Sequence, residues 1–313
     1  MNKDYQQSLE QFIEEFPRAE TTRPLADLTS VGIGGAADLY YRLEKSDDLE
    51  PAIKEADRLK IPYFILGGGT NTVFADEGYH GLVIHIMARK VALEQPTDGK
   101  YGIISADAGA LLSQVIAFAL KNNLSGLEKL MGLPGTVGGA VRGNAGAFGT
   151  EIKDVFHRAL VLTPHKGIHE EGFGYFKFSY RNSAIKASND LVIKVYLKLE
   201  AKDCTQAVAE ATEIIKSRIT KQPQGRSTGS FFKNPNTQLS AGYLLDQCGC
   251  KGLQVGGAQV SHEHANWIIN RGGASQKDLL ELARIMREKV QSRFNLTLEP
   301  EVQLVGPNGL IQL

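Results

Sequence analysis

Three polar side chains sit in short, unusual contexts and are candidates for chemistry. Arg181 lies in FSYRNS, Ser230 in GSFFKNP and Glu301 in LEPEV. A guanidinium can grip a substrate carboxylate and take up negative charge that grows on it. A hydroxyl is a weak acid that can donate a proton to a strongly basic centre. A carboxyl group can share in that protonation. Taken singly, each has a plainer reading: a sheet-edge arginine in an ion pair, a turn serine, an edge carboxylate. The residues alone do not separate Glu299 from Glu301. No Ser-His-Asp arrangement accompanies Ser230, so acyl transfer is not indicated.

Glycine is concentrated in three segments: VGIGGA at 31–36, LGGGTNTVF at 66–74 and GLPGTVGGAVRGNAGAF at 132–148. Such loops expose backbone N–H groups that can approach a pyrophosphate. Gly67, Gly68, Gly69, Thr70, Asn71 and Thr72 form one candidate cofactor loop. Pro134, Gly135, Thr136, Gly138, Gly139, Asn144 and Gly146 form the other. Asn144 either contacts the cofactor or holds its own loop. The dinucleotide fingerprint of a Rossmann fold and the GxxxxGK[ST] phosphate loop are both absent.

Composition narrows the class. The chain has 313 residues, 42% hydrophobic and 22% charged, with 35 Lys plus Arg against 35 Asp plus Glu. A zero formal charge gives no basic excess for nucleic acid. The three cysteines, Cys204, Cys248 and Cys250, are too few and too closely spaced for a disulfide framework or a zinc knuckle. His262, Glu263 and His264 do not form HExxH, and no metal site is expected. The start, MNKDYQQSLEQFIEEF, is polar and acidic, unlike a targeting peptide, and no apolar run reaches membrane length. A cytoplasmic monomer is expected, away from membrane and nucleic acid.

These residues need elements to position them. Leu9, Phe12, Ile13 and Phe16 give an opening amphipathic helix. Strands follow at 38–42, 62–66 and 81–86, around a helix at 49–60 capped by Ser46 or Asp47. A second region holds a strand at 101–107, a helix at 111–123, a strand at 158–163 and an alternating strand at 191–200. Val208, Ile215 and Ile219 mark a further helix. Residues 223–229 read as a linker, rich in Gly, Pro and Ser. A third region holds a helix at 241–248 and a strand at 266–270. Its last helix begins at Ser275 and Asp278 in capping-box spacing and ends at Asn295. A strand at 296–305 closes the chain.

LGGGTNTVF, GLPGTVGGAVRGNAGAFG, FSYRNS, GSFFKNP and LEPEV occur in that order. In this the chain resembles the UDP-N-acetylenolpyruvoylglucosamine reductase family, from Thr29 to the C-terminus. The resemblance implies an α+β fold: a two-subdomain FAD-binding module of the p-cresol methylhydroxylase type and a C-terminal α/β substrate-binding domain. It implies boundaries at 1–88, 89–222 and 223–298, with 299–313 returning to the active site as a closing strand. It implies non-covalent FAD reduced by NADPH, with UDP-N-acetylglucosamine enolpyruvate as the second substrate in peptidoglycan precursor synthesis. Arg181, Ser230 and Glu301 match the catalytic positions, the spacing to Val302 and Gly306 choosing Glu301. Tyr180, Lys221, Lys233 and Asn234 match substrate contacts. The short interval from Arg181 to Lys221 resembles the subclass without a substrate-covering tyrosine loop. AVRGN stands where many members carry a Tyr-Met pair. Two alternatives are another flavin-dependent oxidase or dehydrogenase of this fold, and a non-catalytic nucleotide-binding protein.

Overall fold

A computed structural model describes residues 3–94, 99–164, 166–236 and 238–313. The opening helix, Lys3–Glu15, and the helix Leu49–Arg58 bury Leu9, Phe12, Ala52, Ile53 and Ala56. They lie on one face of a four-stranded sheet, in the order Glu20–Pro24, Ala36–Leu43, Tyr79–Ile86, Tyr63–Leu66. The last three strands are parallel. Both faces are covered, as parallel strands require: Leu39, Tyr41, Leu43, Leu82 and Ile84 pack under the helices, and Tyr40, Leu66, Phe74 and Val83 on the other side.

The expected cap is not there. Ser46–Asp48 is a turn of 3-10 helix, and the helix proper starts from Asp48 without a side-chain cap.

The second sheet is antiparallel. Its strands run Gly167–Gly172, Phe156–Thr163, Leu191–Ala201, Tyr101–Asp107, Val91–Leu93, and Leu124–Ser125 pairs beside Leu191–Ala201. Ile193, Val195, Leu197 and Leu199 point inward, as their alternation predicts. They pack with Val115 and Ile116 of the helix Leu112–Lys121 or with the helix Leu49–Arg58. The helix Thr205–Lys221 packs the opposite way from the expectation. Ala207, Ala211 and Ile214 are its buried residues, whereas Val208, Ile215 and Ile219 are exposed. Small alanines let the helix approach closely; the β-branched side chains that marked it face outward.

The third sheet is antiparallel, in the order Arg226–Ser230, Trp267–Asn270, Ala258–Val260, Gln254–Val255. The supposed linker is thus half strand. The helices Ala241–Gln247 and Gln276–Phe294 cover it through Leu244, Leu245, Leu279, Leu282, Met286 and Val290. Ser275 and Asp278 do form a capping box, and Asn295 ends the helix at φ 54°. Val31, Ile33 and Val73 share this core with Leu304, which joins the third region to the first. The closing segment is shorter than expected. Only Gln303–Gly306 and Gly309–Leu310 are strands, the former running parallel to Thr72–Phe74. Among the described residues no helix is long and apolar enough to cross a membrane.

One buried polar group ties the first sheet to the 67–69 loop. The Tyr40 hydroxyl lies 2.9 Å from Nδ1 of His85, which also bonds the backbone of Gly67. Burial pushes the imidazole down to about 4. Below the usual histidine value the unfolded chain binds a proton that the folded one refuses, so stability falls from about pH 6.5 down to about 4. His85→Gln is expected to shrink the stability difference between pH 7 and pH 4.5 by about 2 kcal/mol, read from urea unfolding at both pH values. An unchanged difference would contradict a largely covered, neutral His85.

Candidate active site

Two glycine loops meet back to back. A Cβ on Gly68 would lie 3.0 Å from the Gly135 Cα, and one on Gly67 would lie 2.9 Å from the Thr136 hydroxyl. Gly69 sits at φ 62°, with the Leu28 carbonyl where a Cβ would go. Thr136 caps the helix Val137–Gly143 by accepting from the Gly139 N–H. The first glycine segment joins this cradle through Ser30, whose N–H donates to the Gly69 carbonyl at 3.0 Å. Among the described residues the N–H groups of Gly68, Gly69, Thr70 and Asn71 donate to no protein acceptor. Four unengaged amides beside a bare backbone surface fit the pyrophosphate of a dinucleotide cofactor. Pro134 and Gly139 are exposed beside them.

The other loop residues serve packing. Thr72 is buried in its strand opposite Gln303. Gly138 lies against Ala108 and Gly146 against Glu151. Asn144, fully buried at φ 43°, donates its amide to the Ser179 carbonyl at 2.9 Å and accepts from the Lys153 N–H at 3.3 Å. Its amide thereby holds the loop itself.

Arg181 occupies the corner of a tight turn. Ser179 and Asn182 exchange backbone hydrogen bonds of 3.0 and 3.1 Å, and Arg181 between them takes φ 52°. From that corner its Nε pairs with Glu301 Oε1 as an ion pair at 3.2 Å, and its Nη2 donates to the Gly146 carbonyl at 2.8 Å. Glu301 comes from the opposite end of the chain. The segment at 299–301 runs beside 231–233: Glu301 N–H donates to the Phe231 carbonyl at 2.8 Å and Lys233 N–H to the Glu299 carbonyl at 2.9 Å. Ser230, next to Phe231, is thereby brought alongside, and its hydroxyl has no partner among the described residues. Asn71 closes the circuit, its amide donating to the Glu301 carbonyl at 3.0 Å while its own carbonyl accepts from Gln303.

Electrostatics at Glu301 are opposed. Burial raises its carboxyl above the usual range, although Arg181, Lys186 and Lys233 pull it down. Glu299 instead pairs with Lys233 at 3.1 Å and is largely exposed, which separates the two acids that the sequence left equal. Tyr180 accepts from the Asn234 N–H at 3.4 Å, and the Arg181 guanidinium lies 5.2 Å from its ring centre. The Asn234 side chain accepts from Ala241 N–H at the start of its helix. Lys221 stands apart, exposed at the end of its helix, with no hydrogen bond or ion pair to the cluster.

Two cations nearby carry no signal of their own in the sequence. Lys186, five residues beyond Arg181, donates its ammonium to the Arg181 carbonyl at 2.6 Å. Arg142, within AVRGN, has no hydrogen bond or ion pair to its guanidinium among the described residues, and burial lowers its pKa. A 3-10 turn, Ala184–Lys186, folds the lysine back, which no spacing rule foretells. Among the described residues His262, Glu263 and His264 belong to no metal-binding group, and all three cysteines are free.

Comparison with known proteins agrees with this geometry. Residues 221–305 match the model of the UDP-N-acetylenolpyruvoylglucosamine reductase C-terminal domain, and 37–170 that of an FAD binding domain. The UDP-N-acetylenolpyruvoylglucosamine reductase of Clostridium tetani is 37% identical over 293 residues, spanning 93% of each chain. That of Listeria welshimeri serovar 6b is 35% identical, over 94% of this chain and 98% of its own. The crystal structure of UDP-N-acetylenolpyruvylglucosamine reductase from Thermus caldophilus aligns with a TM-score of 0.76 at 35% identity, over 92% of this chain and 98% of that one. With its glycine cradle, its paired arginine and acid and its full-length relatives, this chain belongs to the UDP-N-acetylenolpyruvoylglucosamine reductase family.

Proposed function

We propose that this chain reduces the enolpyruvyl group of UDP-N-acetylglucosamine enolpyruvate to UDP-N-acetylmuramate, with NADPH as reductant and FAD as the carrier between them. The observation that carries the reading is the Arg181–Glu301 contact of 3.2 Å, tied by Asn71 to the glycine cradle. On this reading residues 1–88 and 89–222 are the two halves of the flavin module, 223–298 bind the nucleotide sugar, and 299–313 carry Glu301 back. Separate sheets in the three regions support that division. The protein then works in the cytoplasm as a monomer.

FAD, when bound, supplies a hydride to C3 of the alkene. The residues of the chain do the rest. The backbone N–H groups of Gly68 to Asn71, Gly135 and Thr136 would hold the cofactor phosphates, with Gly67 and Pro134 shaping the cradle. Arg181 is held by its ion pair with Glu301 and by the N–H it donates to Gly146, which orient its guanidinium. Its remaining N–H groups bind the substrate carboxylate and stabilise the charge that spreads into it as C3 is attacked. The Ser230 hydroxyl protonates C2, and Glu301 shares in that proton transfer. Burial favours the protonated form of Glu301, so a proton remains at hand to higher pH than on an exposed glutamate. Lys233, Asn234 and Tyr180 line one edge of the cluster and contact the nucleotide sugar; Lys221, which stands apart from the cluster, contacts substrate only if the nucleotide extends to it.

An anaerobic two-step assay tests the reading. NADPH should bleach the yellow protein, and UDP-N-acetylglucosamine enolpyruvate should restore the colour. Recovery only by oxygen would favour the oxidase alternative, and a colourless protein that binds nucleotide the non-catalytic one. Ser230→Ala should leave bleaching by NADPH largely intact and slow recovery about 10²- to 10⁴-fold, the usual worth of a positioned proton donor. Equal loss in both steps would contradict that role. Gly68→Ala should push the two loops apart and weaken FAD about tenfold or more, read by fluorescence as apoprotein is reconstituted. An unchanged Kd would contradict the two-loop cradle.

A further inference from the structure

Arg181 reaches its partners from a backbone conformation that side-chain-bearing residues rarely adopt. Something must hold it there. The base of the turn is anchored by Asn144, which bonds the Ser179 carbonyl. The tip is anchored separately, because the Arg181 carbonyl accepts the Lys186 ammonium at 2.6 Å. We propose that Lys186 is a positioning residue for the reduction, its ammonium holding the left-handed turn that carries the Arg181 guanidinium onto Glu301 and Gly146. The proposal rests on the reading of Arg181 as the group that grips the substrate carboxylate.

The surroundings make a lysine here a costly choice for a purely structural bond. Arg142, Lys233 and Arg181 all repel its charge, and Glu301 alone among the groups acting on it attracts it. A neutral amide could donate to the same carbonyl without that repulsion. A cation does more. It strengthens the hydrogen bond to the carbonyl, and it adds positive potential where negative charge grows on the substrate. Burial and those cations bring the ammonium down to about 8, near the working range, so the bond weakens as pH rises through that value. Arginine at this position would stay charged throughout.

The test separates the two half-reactions of the flavoprotein by stopped flow between about pH 6 and 10, a window on both sides of the Lys186 value and short of the ordinary lysine one. Wild type should lose its rate of reoxidation by the enolpyruvyl substrate along an alkaline limb near pH 8. Lys186→Met should reoxidise about 100-fold more slowly at pH 7, the scale of a small misplacement of a catalytic group. Its flavin content and its reduction by NADPH report that it is folded and loaded. Lys186→Arg should recover most of the rate and lose the limb near pH 8. Binding of UDP-N-acetylmuramate to the oxidised protein should weaken in Lys186→Met and not in Lys186→Arg. Reoxidation of Lys186→Met at the wild-type rate would overturn the proposal. So would an unchanged limb in Lys186→Arg, which decides the matter if Lys186→Met fails to hold flavin. Failure of the substrate to reoxidise wild type would instead sink the reading of the function.

Discussion

One ion pair organises the molecule. Arg181 and Glu301 are each about three-quarters covered, which is unusual for such side chains. Taking both out of water costs more than a surface pair repays, so their contact is weak evidence of stability and better evidence of placement. The arginine comes from a turn that follows the second sheet's edge strand; the acid comes from a segment laid against the third region. Neither region could present the pair alone. Each partner also has a second tether, Gly146 for the guanidinium and Phe231 for the acid's backbone.

The chain path follows from that requirement. After the last helix the chain passes along 231–233, then runs parallel to Thr72–Phe74. This carries Glu301 to Asn71 at the end of the glycine loop, so the proposed cofactor cradle and the proposed acid are set by one strand pairing. The loops that form the cradle are bare because two backbones approach within a Cβ's reach of one another. Side chains there would separate the cradle from the pair.

Local rules make part of this legible in the sequence. The strand Leu191–Ala201 and the capping box at Ser275 follow from alternation and cap chemistry, both short-range effects. Asn295 marks a helix end for the same reason. Elsewhere tertiary structure overrides local signals. Residues Arg226–Ser230 look like a linker because Ser and Gly dominate them, yet pairing with Trp267–Asn270 makes them a strand. The helix Thr205–Lys221 shows in the sequence through residues that prove to face outward, since its alanines do the packing. The segment Leu296–Val302 is extended and apolar enough to resemble a strand, but its pairing is limited to a bridge between Phe232 and Pro300. At the candidate site, motifs bring Arg181, Ser230 and Glu301 forward as candidates. That two of them touch, that Asn144 is consumed internally and that Lys186 reaches back to Arg181 depend on long-range folding.

The most direct test of the central pair is a double-mutant cycle on flavin reoxidation by the enolpyruvyl substrate, with Arg181→Ala, Glu301→Ala and the two together. Groups that act as a unit are strongly non-additive. The account predicts that the double variant is little slower than the worse single variant. Independent losses that multiply in the double variant would contradict it.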